Sequence, residues 1–228
     1  MLPEDSPFPC HWWGTSLEDV GLADVRPRVG NYGCYEFANL PPVPNEINGN
    51  FDWLAIEPPQ NEHNIGEERA AENAKALAML CAACKQMGVR LPSAFVKFME
   101  APSLHQRIRS NTDCFLDLCA RPVQSPVGDG YLIRFLADSQ GCIFWYLFVT
   151  GDSSDHAVVS SSDFYGTEDD QSEDEPPDPS ELAFSAESFE AFIWRFWLEN
   201  EMWFSGWKKT PMPSAGEQYI EQYRSKKS

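Results

Sequence analysis

The sequence predicts an α+β domain, and three observations predict it. Apolar residues recur at helical spacing through residues 64–100, the period drops to two through residues 113–161, and helical spacing returns after residue 185. The links between the period-two segments, "RPVQSPVGDG", "DSQG" and "TGDSSD", consist of turn residues. Connections of this kind join antiparallel neighbours, because parallel pairing needs a long crossover.

Taken in order, residues 1–50 are rich in Pro, Gly, Asn and aromatics. They read as an irregular arm with short strands, packed on the body through Trp12, Trp13, Tyr35, Phe37 and Trp53. No internal repeat is visible. A helix is predicted after "NEHNIGEE", where Asn64 is placed to cap and Glu67 to close a capping box. Residues 70, 74, 77, 81 and 84 form its apolar or small stripe, and Gly88 ends it. Pro92 suits the first turn of a second helix, in which Phe95, Phe98 and Met99 are buried, and a short helix begins near Ser103. Strands are predicted over 113–118, 131–138, 142–149 and 156–161. An acidic loop follows at 167–181. The last strong element is the helix "SAESFEAFIWRFWLENEMWF", with Ser185 as its cap and Phe189, Phe192, Ile193, Phe196 and Trp197 on one face. Trp194 and Leu198 add a second apolar side, so this helix is buried deeply or contacted twice. The 211–228 tail ends in a turn or two of helix.

The strand "CIFWYLFV" is apolar on both faces. It must therefore be central and covered on both sides. One face is expected to meet the helices of residues 67–100, the other the C-terminal helix or the aromatic arm. Each buried aromatic there is worth roughly 1.5–3 kcal/mol.

Composition bounds the function. The chain has 228 residues, 43% of them hydrophobic, which is enough for a real core. With 17 Lys and Arg against 35 Asp and Glu, the net charge is −18. Such a chain attracts basic partners and disfavours nucleic acid and anionic membrane. The charge lies on the flanks: residues 67–150 carry nine basic and eight acidic side chains, whereas residues 151–228 carry six and seventeen. Seven cysteines, an N-terminus without a secretion signal and no stretch of membrane-spanning length point to a reduced, cytoplasmic protein.

No catalytic motif stands out. Cys81 and Cys84 form a CxxC, but inside an amphipathic helix rather than at a helix start, so both are read as buried packing residues. Cys114 and Cys119 have no His at metal spacing. Cys142, Asp155 and His156 are the nearest approach to a nucleophile, orienter and base, and a hairpin could bring Cys142 near His156. Burial at the start of the most hydrophobic strand would raise the thiol pKa, against that chemistry. Glu57, Glu62 and His63 match no helical metal motif, and His11 and His105 have no telling partners. There is no GxSxG, phosphate loop, GxGxxG or EF-hand pattern. No enzyme activity, metal or cofactor is expected.

The order of "LAIEPPQNEHNI", a helix, "LPSAFVKFM", "YLIRFLADSQGCIFWYLFVTGDSSDHAVV" and "ESFEAFIWRFWLEN" resembles the SUKH superfamily, also called the SMI1/KNR4 family, over residues 52–205. The resemblance implies an antiparallel or mixed sheet packed against helices, spanning residues 51–210. It also implies a protein-binding role without a catalytic motif: bacterial members are similar to immunity proteins that neutralise polymorphic toxins, many of them nucleases. Fungal members are linked to cell-wall synthesis control and signalling. The 1–50 arm and the acidic insertion at 167–181 fall outside the shared core. The expected function is an immunity protein that binds a basic toxin domain, with a regulatory scaffold as the alternative. The partner-binding residues expected from charge are Asp163, Glu168, Asp169, Asp170, Glu173, Asp174 and Glu175.

Overall fold

The computed structural model describes residues 1–166 and 177–225. A six-stranded antiparallel sheet forms the centre, with strands β3 (Phe115–Leu116), β4 (Val123–Gln124), β5 (Gly130–Ala137), β6 (Phe144–Thr150), β7 (His156–Ser161) and β8 (Ala183–Ala186). The order is β3-β5-β6-β7-β8, and β4 pairs with β5 beside β3. The arm contributes a separate two-stranded sheet of β1 (His11–Gly14) and β2 (Gly33–Glu36), with Trp12 opposite Tyr35. The helices are α1 (Asp52–Ala55), α2 (Ala70–Met87), α3 (Ser93–Met99), α4 (Pro102–His105), α5 (Phe189–Lys208) and α6 (Ser214–Ser225).

The doubly apolar strand is central, and its two faces enter two different clusters. Trp145, Leu147 and Val149 join the larger core with Phe95, Phe189, Phe192 and Leu80. Tyr146 and Phe148 join a smaller core with Phe8, Leu132, Val159, Tyr165, Leu182 and Phe184. The expected division holds in part: the arm covers the second face through Phe8, Cys10 and Phe37, whereas the C-terminal helix lies on the first face with the others. Helices α2, α3 and α5 all contribute to one cluster, and the opposite face is covered by the first residues of the chain and the segments 164–165 and 182–184. The arm also shields β8: Phe184 donates its backbone N–H to Pro9 O at 2.8 Å, which protects an otherwise open sheet edge.

Several expected boundaries move, each for a local reason. Helix α2 starts at Ala70 rather than near Asn64, because Ile65 bonds to Ile108 and Leu116 through its backbone and Asn64 bridges Arg109. These contacts hold the segment in turns ahead of the helix. The Asn64 amide instead reaches Glu67 at 3.1 Å. The buried face of α2 is Asn73, Leu77, Leu80 and Cys84, while residues 70, 74 and 81 are exposed. Cys81 is thus a surface residue and only Cys84 packs inward. Gly88 ends the helix in the left-handed conformation, φ 75°. The 113–118 strand shrinks to two residues after Asp113, whose φ is +54°. Ser185 lies in β8, bonded to Ser160 Oγ at 2.9 Å, and the cap of α5 is Ser188, which accepts from Ala191 N. The tail is longer than a turn or two: α6 has 12 residues and buries Tyr219, Ile220 and Tyr223.

Candidate functional site

Helix α5 organises the molecule through buried charge. Glu190, Arg195, Glu199, Asn200 and Glu201 are all buried along it. Each holds a residue from another part of the chain. At the start of the helix, the Glu190 carboxylate accepts the Gly49 and Phe51 backbone N–H groups and the Trp53 indole N–H. Arg195 pairs with Glu187 at 2.9 Å and covers the Phe37 ring. One turn further on, Glu199 accepts both terminal nitrogens of Arg26 at 2.7 Å, the Trp12 indole N–H at 2.9 Å and the Tyr219 hydroxyl at 2.7 Å. Arg26 also donates to Thr15 O and Tyr223 Oη. Burial works against the Arg26 charge, but Glu199 more than offsets it and raises the guanidinium pKa. Burial beside Glu199 pushes the Tyr219 phenol up as well. Glu201 grips Arg109 through two bonds, at 2.8 and 2.7 Å. The carboxylates of these pairs are well supplied with donors, whereas Nε of Arg26 and of Arg195 is buried without a partner, and an ion pair removed from water depends on the bonds it does make.

The sequence motifs with catalytic residue types are not brought together. His156 pairs with Val149 and Phe144 with Ser161, so Cys142 lies beyond the opposite end of the β6–β7 ladder from His156. At about 3.3 Å per residue the separation approaches 20 Å. Cys142 also differs from expectation in being exposed, in a turn where Asp138 accepts the Gln140 and Cys142 N–H groups. Its thiol pKa is raised, by local desolvation and then by the Asp138 carboxylate. The Asp155 carboxylate binds the Met1 amino group at 2.7 Å. His63 meets Asp113 at 2.8 Å rather than Glu57 or Glu62. His105 is buried and donates Nε2–H to Phe98 O at 2.7 Å, and burial lowers its pKa to about 4. Among the described residues, no group of three His, Cys, Asp or Glu side chains is placed to hold a metal ion, and no helix is long and apolar enough to cross a membrane.

Of the seven carboxylates predicted to meet a partner, Glu168, Asp169, Asp170, Glu173, Asp174 and Glu175 lie outside the described residues. Asp163 lies within them and is half-buried. Its Oδ2 accepts the backbone N–H of Asp178 at 2.6 Å, across the whole acidic segment. Tyr165 donates its hydroxyl to Asp178 O at 2.9 Å, and its own N–H goes to Tyr146 Oη, also at 2.9 Å. Ser162 reaches Glu181 at 3.1 Å. Burial, then the charges of Asp163, Asp178 and Glu181, push the Tyr165 phenol to about 12. Two stems, 161–165 and 178–181, are thus tied together over the smaller core. Sequence reasoning missed this role of Asp163, since nothing in "SSDFYG" distinguishes a clasp from a surface charge.

A second exposed feature sits at the far end of α5. Trp207 is 61% exposed and stacks on Trp203 with ring centroids 5.7 Å apart. Phe204 beside them carries Arg109 over its ring at 4.0 Å.

Comparison with family models, with curated proteins and with solved structures finds no match.

Proposed function

We propose that this chain is a non-enzymatic protein-binding domain that captures a basic partner through the acidic segment, and that it serves as a SUKH-type immunity protein against a toxin domain. The observation that carries the reading is the pair of stems joined by Asp163, Tyr165 and Asp178. They hold Tyr165 and Asp178, which flank the run of Glu168, Asp169, Asp170, Glu173, Asp174 and Glu175, close together over the smaller core. A concentrated negative field steers a basic protein to fast encounter and fits the phosphate-binding cleft of a nuclease. The family assignment itself rests on the order of motifs in the sequence.

The test is to neutralise Glu168, Asp169 and Asp170 as one group and Glu173, Asp174 and Glu175 as another. Association rates with the partner retrieved by pull-down are then measured at low and high salt. Each group is expected to slow association at low salt by about tenfold, with the difference shrinking at high salt. Rates that ignore both salt and substitution would remove electrostatic capture.

The exposed Trp207 on Trp203 favours a second reading, a regulatory scaffold that binds through aromatic surface. Binding of several partners, insensitive to salt and lost in Trp207→Ala, would select it.

A further inference from the structure

We propose that Asp163, Tyr165 and Asp178 form a buckle that joins the two stems of the acidic segment, and that Asp163 acts as a positioning residue rather than as a charge that meets the partner. Its importance for binding rests on the capture reading above; the buckle itself does not.

The geometry fixes Asp163 by what it touches. Its backbone N–H is taken by Ser161 Oγ at 3.0 Å, and its carbonyl accepts the Tyr146 hydroxyl at 3.3 Å. Its Oδ2 accepts Asp178 N–H. The same Tyr146 oxygen accepts the Tyr165 N–H, so one phenol in the central strand fixes both residues of the first stem. Between them Phe164 packs edge-on against Phe144 and lies under the Arg134 guanidinium, 4.4 Å from its ring. In the second stem the Asp178 side chain turns back to accept Ser180 N–H, which leaves its backbone N–H and carbonyl for Asp163 and Tyr165. Two bonds cross between the stems, Asp178 N–H to Asp163 Oδ2 and Tyr165 Oη–H to Asp178 O, and the others fix each stem to itself or to the sheet. A carboxylate held by a backbone N–H is a strong, directional contact. It is poorly placed to exchange that partner for a mobile lysine.

Joining the stems also has a thermodynamic meaning. Closing a loop has an entropic cost that grows slowly with its length. Where the stems are already joined, that cost is met before any partner arrives, and a preorganised binder keeps more of its contact energy.

Three variants and one probe separate these roles. The probe is a peptide of ten lysines, titrated at several salt concentrations, and the second readout is amide exchange at Asp178 followed by NMR. Asp163→Ala is expected to speed exchange at Asp178 by about tenfold to a hundredfold, the range for losing a hydrogen bond to a charged group. Asp163→Asn keeps an acceptor oxygen. It should speed exchange less, and leave the salt dependence of peptide binding as in the parent. A variant with Glu173, Asp174 and Glu175 neutralised should flatten that dependence without changing Asp178 exchange. Unchanged Asp178 exchange in Asp163→Ala would overturn the buckle. A salt dependence flattened by Asp163→Asn as much, per charge, as by the triple variant would overturn the positioning role. Failure of the parent protein to bind the peptide in a salt-dependent way would remove the capture reading, while the exchange arm would still decide the buckle.

Discussion

The two faces of the central sheet are covered by different means. On one, helices α2, α3 and α5 bury an aromatic cluster in which Phe189 touches Phe51, Phe95, Phe98 and Phe135. Irregular segments are then fastened to the back of α5 by Glu190, Glu199 and Glu201. On the other, Tyr146 and Phe148 are covered by Phe8, Tyr165 and Leu182, with no helix. The lesson is that the same strand supports a rigid half, where charge serves packing, and a lighter half, where the stems of the acidic segment are tied. Local stability follows buried contacts and satisfied hydrogen bonds, and functional segments are drawn from the less stable end.

The largest expected effect tests the rigid half. Glu199→Ala strands the Arg26 guanidinium and the Trp12 and Tyr219 donors in the interior. It should cost about 3–5 kcal/mol in urea unfolding, the range for breaking a buried pair. A loss under about 1 kcal/mol would mean the clasp contributes little beyond its packing. Next, the faces can be compared directly. Among the described residues, Phe192 packs on the rings of Trp12, Phe135, Trp145 and Phe196, whereas Phe8 packs on the ring of Phe148. Phe192→Ala should destabilise by about 3–5 kcal/mol and Phe8→Ala by clearly less. Equal losses would erase the distinction.

Acid sharpens the comparison, because His105 belongs to the helical half. Its folded pKa of about 4 lies below the ordinary histidine value. The unfolded chain therefore takes up a proton near pH 6.5 that the folded chain refuses until about pH 4. The contribution is fully present above pH 6.5 and is lost as pH falls to 4, for about 3 kcal/mol in all. His105→Gln should flatten the stability profile between those values, and an unchanged profile would exclude the effect. Tyr146→Phe, on the lighter face, removes the acceptor of the Tyr165 N–H. A loss of about 1–3 kcal/mol is expected, with faster exchange at Tyr165 and no change around α5.

Much of this fold was legible in the sequence where periodicity was strong. The three long strands, α5 and the central position of β6 follow from apolar spacing and from a strand with no polar side. The four-residue strand β8 was not legible, because "AFSA" follows an acidic run and its pairing is decided by β7 and by Pro9. Nor was the start of α2, where long-range bonds to Ile108 and Leu116 override a good capping sequence. The role of α5's polar residues was hidden for a related reason. In a helix pattern Glu199 is an ordinary polar residue; only the return of the arm to α5 shows that Arg26 and Trp12 cover it. Of the candidate site, the acidic charge was plain from composition, but the clasp made by Asp163 depends on a contact fifteen residues away. No local pattern encodes such a contact.

Hydrogen exchange across the whole chain, with and without the partner retrieved at low salt, tests the division of labour most directly. The account predicts slowed exchange in peptides covering residues 161–182 and none in those covering α5. Slowing confined to the end of α5 around Trp207, with residues 161–182 unaffected, would contradict it.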